Sequence, residues 1–281
     1  LEVEYRLYQS DRFFLLSSME DYAADQLIGY AQRYLAEIDE RLGPLSSHET
    51  RRIVLIAFHD LDHYYRYLAH FFDDEDFGSM LATYLDDGYP HIVSLDENLA
   101  RVQPAVLHEL VKSRLRNLPL PRWLLESLAR QIEFDVSHHG LERFDEHFGA
   151  DAHPLDGAVM IEIADFFAED PQRVQDFWAG RGFDDAESQG HHFFLASKIW
   201  ASILAEATPA SREAFIREAS SDDAGFVAAR LHLDLDLGDR MAHFLGDGDY
   251  SFYLEPTGDS GASADTAQGD DAAIEPDEGE R

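Results

Sequence analysis

The sequence predicts an α+β fold: a small N-terminal mixed sheet with helices, an all-helical C-terminal region and a disordered acidic tail. Three observations point there. Short β-branched and aromatic runs stop before Asn98. Beyond it the apolar positions recur only at helical spacing. At Thr257 the composition turns abruptly to Gly, Ala, Ser and eight carboxylates, with Ile274 the one aliphatic residue. Residues 1–137 are therefore expected to form the α+β region, 138–256 the helical region and 257–281 the tail.

Taken in order, Val3 to Tyr8 and Phe13 to Leu16 read as strands joined by a turn at Gln9-Ser10-Asp11. Ser17 and Glu20 form a capping-box pattern. The helix it would open carries Tyr22, Leu27, Tyr30, Tyr34, Leu35, Ile38 and Leu42 on one face, and Gly43-Pro44 stops it. Ile53-Val54-Leu55-Ile56 is apolar throughout, as a strand covered on both faces requires. A tyrosine-rich helix is expected from Leu61 to Phe72, then a short helix around Met80 to Leu85, a turn at Asp86-Asp87-Gly88 and a strand from Ile92 to Leu95. Val102 to Leu115 and Trp123 to Val136 read as a helical pair separated by the proline-containing Asn117 to Pro121. Further helices are expected near Gly157 to Ala168, Pro171 to Ala179, His191 to Glu206, Ser211 to Ala219, Ala224 to Leu231 and Asp239 to Leu245. The tail holds too little apolar surface to offset the entropy of ordering it.

Composition removes several classes of function. With 281 residues, 45% of them hydrophobic, the chain can build a sizeable core. A net charge of -34 argues against nucleic acid and against an anionic membrane surface, since both recruit clustered Lys and Arg. Lys112 and Lys198 are the only lysines, so the positive charge is nearly all arginine; a GC-rich genome or adaptation to high salt would each produce this. There is no cysteine, hence no disulfide, thiolate metal site or cysteine nucleophile. No apolar run approaches the roughly 20 residues of a membrane span. The chain begins at Leu1 rather than Met, so an export signal removed earlier and a cytoplasmic location both stay open.

One segment carries chemistry. His108-Glu109-Leu110-Val111-Lys112 lies in a helical stretch, and Pro121-Arg122-Trp123-Leu124-Leu125-Glu126-Ser127-Leu128-Ala129 follows after a short loop. Together they resemble the HExxH helix and the glutamate helix of the gluzincin clan, the thermolysin-like superfamily of zinc metallopeptidases (peptidase MA). The resemblance is strong over Ile53 to Val136 and implies a zincin-like fold with a sheet edge strand along a substrate cleft, at Ile92 to Leu95. It also implies His108 and Glu126 as zinc ligands and Glu109 as the base that activates the metal-bound water.

The match fails at specific positions. Lys112 stands where the second histidine ligand belongs, and a protonated amine has no lone pair to give a metal. Arg130 stands one turn after Glu126, where relatives carry a carboxylate that orients a zinc-binding histidine. Ser127 replaces a usual glycine. Two cations thus occupy positions that Zn²⁺ and its supporting acid would hold, and the Lys112 ammonium is expected near Glu126, and near Glu109 as well.

Elsewhere, His59 and His63 have an i, i+4 spacing, and His138-His139 and His191-His192 are adjacent pairs; core or surface placement is expected for each, with a cleft-facing histidine conceivable at His191-His192. No nucleophile elbow or phosphate-binding glycine loop is present. The leading reading is therefore a catalytically silent metallopeptidase-like protein that needs no cofactor and keeps a cleft for a polypeptide or protein partner. One alternative is an active zinc peptidase with an unusual ligand set and Glu109 as base. Another is a structural or interaction module with a vestigial cleft.

Overall fold

A computed structural model describes residues 4–47, 51–72, 81–95, 99–137, 154–185 and 187–253. Five strands form one mixed sheet: β1 (Arg6–Gln9), β2 (Phe13–Ser17), β3 (Ile53–Phe58), β4 (Ala82–Leu85) and β5 (His91–Leu95), in the order β1-β2-β3-β5-β4. β2, β3 and β5 run parallel, and β1 and β4 close the edges antiparallel. Parallel neighbours need long crossovers, supplied here by α1 (Asp21–Leu42) between β2 and β3 and by a segment containing α2 (Leu61–Leu68) after β3. Among the described residues eight more helices follow: α3 (Leu99–Leu115), α4 (Arg122–Ser137), α5 (Pro154–Glu169), α6 (Gln172–Ala179), α7 (Gln189–Glu206), α8 (Pro209–Glu218), α9 (Phe226–Leu233) and α10 (Leu237–Leu245). The chain is thus α+β and mostly helical, as expected; the acidic tail at 257–281 lies outside the described residues. No helix among the described residues is long and apolar enough to cross a membrane.

Both faces of the sheet centre are covered. Phe13, Leu15, Leu55, Ala57 and Ile92 pack with α1 and α3, while Val93 and Leu95 turn to the other face and meet Tyr64 and Leu68 of α2. This alternation explains why every residue of β5 is buried. The larger apolar cluster runs without a break from Phe13 in β2 to Met241 in α10, across the boundary expected near residue 137.

Four local expectations are corrected. Met80 to Leu85 is not helical where described: Ala82–Leu85 is strand β4, because its alternate residues pair with β5. Consequently Ile92 to Leu95 is an inner strand and β4 is the edge. Ser17 does not cap α1; it ends β2, its hydroxyl accepts the Met19 N–H at 3.1 Å, and Glu20 holds the cap position without a side-chain bond. The tyrosine-rich helix also stops at Leu68, short of Phe72.

The C-terminal half of α1 is fastened to α3 by a two-pronged ion pair. Arg114 donates from Nε and Nη2 to the two oxygens of Asp39 at 2.7 and 2.8 Å, and Ser46 donates to Asp39 Oδ1 at 2.7 Å. Burial alone would raise the Asp39 pKa; the bonds from Arg114 and Ser46 reverse this and hold it below the usual range. Removing one partner strands the Arg114 guanidinium, whose side chain is 4% exposed. Asp39→Ala is therefore expected to destabilise the fold by about 3 kcal/mol, read as a lower urea midpoint at unchanged m value.

Candidate functional site

The segments singled out in the sequence form an α-hairpin, and tertiary contacts hold its second helix at a fixed depth. Pro121 precedes α4, where a missing N–H costs nothing. Trp123, fully buried, donates from Nε1 to the Ala224 carbonyl at 2.9 Å and meets Trp178 edge-on at 5.9 Å. Ala224 adopts φ +54°, an uncommon left-handed conformation for alanine, and Gly225 at φ +85° lies against Pro121. The Ser221 N–H bonds the Pro119 carbonyl at 2.8 Å. Ser127, buried, returns its hydroxyl to the Trp123 carbonyl at 2.7 Å.

This hairpin brings His108, Glu109 and Lys112 of α3 together with Arg122, Glu126 and Glu133 of α4. Lys112 Nζ lies 3.1 Å from Glu109 Oε1 and 3.2 Å from Glu126 Oε1. Glu126 Oε1 is also 2.7 Å from Arg122 Nε, though its two cation contacts lack aligned hydrogen-bond geometry. The other oxygen, Oε2, takes a 2.8 Å bond from His108 Nε2, and His108 Nδ1 donates to Glu133 Oε2 at 3.1 Å. Glu109 Oε2 accepts the backbone N–H of Tyr84 at 2.7 Å, which ties the site to the edge strand. Three cations thus face three carboxylates, and Glu126 is 2% exposed.

Charge states follow from these contacts. Burial disfavours the imidazolium of His108, but the bonds from Glu126 and Glu133 outweigh it and push its pKa up to about 9. Burial likewise opposes the Lys112 ammonium, and Glu109 and Glu126 more than restore it. For Glu126 burial acts upward, yet Lys112, His108 and Arg122 hold its carboxyl well below the usual range. All three are therefore charged near neutral pH.

The resemblance implies zinc, and the residues present do not fit it. Both nitrogens of His108 are committed as N–H donors, so no lone pair remains for a metal. Lys112 and Arg122 bring positive charge onto Glu126, the other implied ligand. Among the described residues no group of three or more His, Asp or Glu is arranged to hold a metal ion.

Arg130 lines the cleft but is exposed and pairs with no carboxylate among the described residues. The carboxylate that meets His108 Nδ1 lies two turns beyond Glu126, at Glu133. Sequence reading missed it, although Arg122, Glu126, Arg130 and Glu133 share an i, i+4, i+8, i+11 face that could have marked it. The Tyr84 N–H was missed too, since nothing in a sequence announces a backbone donor.

The cleft above these residues holds about 740 Å³. β4 borders it on one side, and Val159, Ile163, Phe183, Phe193 and Phe194 give it an apolar wall. His191 also faces it, stacked on Phe166 at 4.3 Å, with Nε2 3.4 Å from Glu162. His192 points the other way: it is buried, bonds the Ser188 carbonyl through Nδ1 at 3.0 Å and packs its Nε2 edge on Gly182. His59 and His63 are exposed, and His63 Nδ1 pairs with Asp60 at 2.5 Å. His138-His139 lies outside the described residues. Set against protein-family models, curated proteins and solved structures, the chain matches none.

Two outcomes are expected. Lys112→Met leaves Glu109 without its ammonium partner and Glu126 with one fewer, and should cost about 3–5 kcal/mol in urea unfolding. The double variant Lys112→Met/Glu109→Gln should recover much of that loss, a coupling an isolated surface lysine would not give. The second concerns pH. A raised His108 pKa contributes stability that is complete below its unfolded value of about 6.5 and lost as pH rises through about 9. Unfolding free energy should thus fall between pH 7 and 10, and fall less in His108→Asn. The depressed Glu126 pKa has the opposite sign: its contribution is present above the ordinary carboxylate range and lost in strong acid.

Proposed function

We propose that this chain has a zincin-like architecture in which the Lys112 ammonium stands in for a metal, and that it binds a polypeptide segment in its cleft without cleaving it. The observation that carries this reading is the ion cluster itself. Each atom a zinc site would use as ligand or base is already engaged: His108 by two carboxylates, Glu126 by three cationic side chains, Glu109 by Lys112 and the Tyr84 N–H. Both oxygens of Glu109 are thus already in hydrogen bonds, one from the Lys112 ammonium and one from the Tyr84 N–H, so neither is turned toward a water in the cleft.

The polypeptide follows from the edge strand. The Leu81 carbonyl accepts the Leu95 N–H at 3.0 Å, and Thr83 is paired with Val93. In an antiparallel ladder the intervening residues, Ala82 and Tyr84, turn their backbone groups the other way. Tyr84 spends its N–H on Glu109, and Ala82 lies on the cleft. An extended peptide could add to that edge and place an apolar side chain against Val159 and Phe193.

Protein exposed to excess zinc and then dialysed should retain substoichiometric metal by elemental analysis. A labelled, permanently unfolded polypeptide should bind saturably, appear uncut by mass spectrometry, and bind more weakly to Val159→Arg. Stoichiometric zinc with cleavage abolished by Glu109→Gln would overturn the silent site, and failure to bind extended polypeptides would overturn the proposed ligand.

A further inference from the structure

A second, smaller cavity opens beside Tyr84 at the C-terminal end of α3, and its character reverses that of the whole chain. Arg51, Arg52, Arg114 and Arg116 all line it. They are four of only 22 cationic residues in a chain with 56 carboxylates, yet none of the described lining residues is acidic. Among the described residues, Asp39 sits on Nε and Nη2 of Arg114, and the half-exposed Asp86 lies 3.7 Å from Arg116 Nη1 and bonds the Tyr84 hydroxyl. Neither enters the lining.

The groups between the arginines are donors. Ser47 Oγ, in a buried residue, accepts from Asn117 Nδ2 at 3.0 Å and keeps its own O–H to give. Arg116 is steered across the pocket by Tyr84, whose hydroxyl accepts from Nη1 at 3.3 Å. Asp39 fixes the plane of Arg114 and leaves Nη1 to point elsewhere. Arg52 is held by stacking 4.7 Å over the Phe14 ring rather than by an anion. Planar guanidinium groups positioned this way match the oxygen edges of a tetrahedral anion. Size narrows the choice. The cavity holds about 40 Å³, against the roughly 10–15 Å³ that one water needs, so it admits a group of a few waters' bulk and not a nucleotide or a peptide.

We propose that this pocket is a binding site for a small tetrahedral oxyanion, of the inorganic phosphate or sulfate class. It shares none of the ion-cluster side chains, and its test reads anion binding alone, so it stands or falls independently of the polypeptide cleft. The test is titration of the full chain with inorganic phosphate by calorimetry in about 1 M KCl, where the Debye length is ~3 Å and the repulsion of an acidic chain is screened. Saturable 1:1 binding is expected, competed by sulfate. Arg51→Gln, an exposed substitution, and Arg116→Gln should each weaken it about tenfold or more, as loss of a charge-assisted contact does, with unchanged far-UV circular dichroism. Phenyl phosphate serves as the second arm: exclusion supports a free ion as ligand, and competition supports a phosphate ester reaching in from outside. Absence of saturable phosphate binding, or binding that both variants keep intact, overturns the proposal.

Discussion

The interior of this protein is organised around one buried ammonium. Lys112 Nζ sits about equally far from carboxylates of two different helices, Glu109 and Glu126, in a position nearly closed to solvent. Ionised carboxylates withdrawn from water are costly unless each finds a cation and enough hydrogen-bond donors. That requirement dictates the neighbours. Glu126 collects Lys112, Arg122 and His108; His108, now charged, requires Glu133; Glu109 takes the edge-strand N–H of Tyr84. The result is a neutral cluster of six side chains that joins α3, α4 and β4.

Such a cluster holds only if the elements that carry it are held elsewhere. The α3–α4 hairpin is fixed by apolar and backbone contacts remote from the charges: Trp123 on the Ala224 carbonyl, Pro121 on Gly225, Pro119 on the Ser221 N–H. α3 is fastened to α1 through Arg114 and Asp39. β4 is positioned by its ladder with β5, and its Tyr84 serves two sites at once, giving its amide to the cleft and its hydroxyl to the arginine pocket. Cleft and pocket thus meet at one residue of one strand, the pocket lined by four arginines on an otherwise strongly acidic molecule.

Legibility in the sequence was uneven, for physical reasons. Helices with long apolar faces, such as α1 and α7, were readable because burial imposes a period on the residues themselves. β4 was not: Ala82 to Leu85 is four residues of weak pattern, and pairing with β5 decides its state. Ser17 was misread as a cap because a capping-box spacing says nothing about where the preceding strand ends. In the site, Lys112, Glu109 and Glu126 stood out by motif position, and the charge argument drew them together. Glu133 did not, since a carboxylate two turns along a helix in an acidic chain has many companions, and only contact with His108 distinguishes it.

By itself the sequence determined the order and type of most elements and the residues at which the peptidase-like pattern departs from itself. It also determined that residue 112 is a lysine, a matter of covalent identity that no packing can alter. Tertiary structure alone decided that His108 is gripped at both nitrogens, that the Tyr84 N–H answers Glu109, and that four arginines meet beside Tyr84 at the end of α3. Periodicity and motif spacing are local properties of the chain. Charge compensation depends on distances of a few ångströms between residues far apart in sequence, and only the folded packing sets those distances.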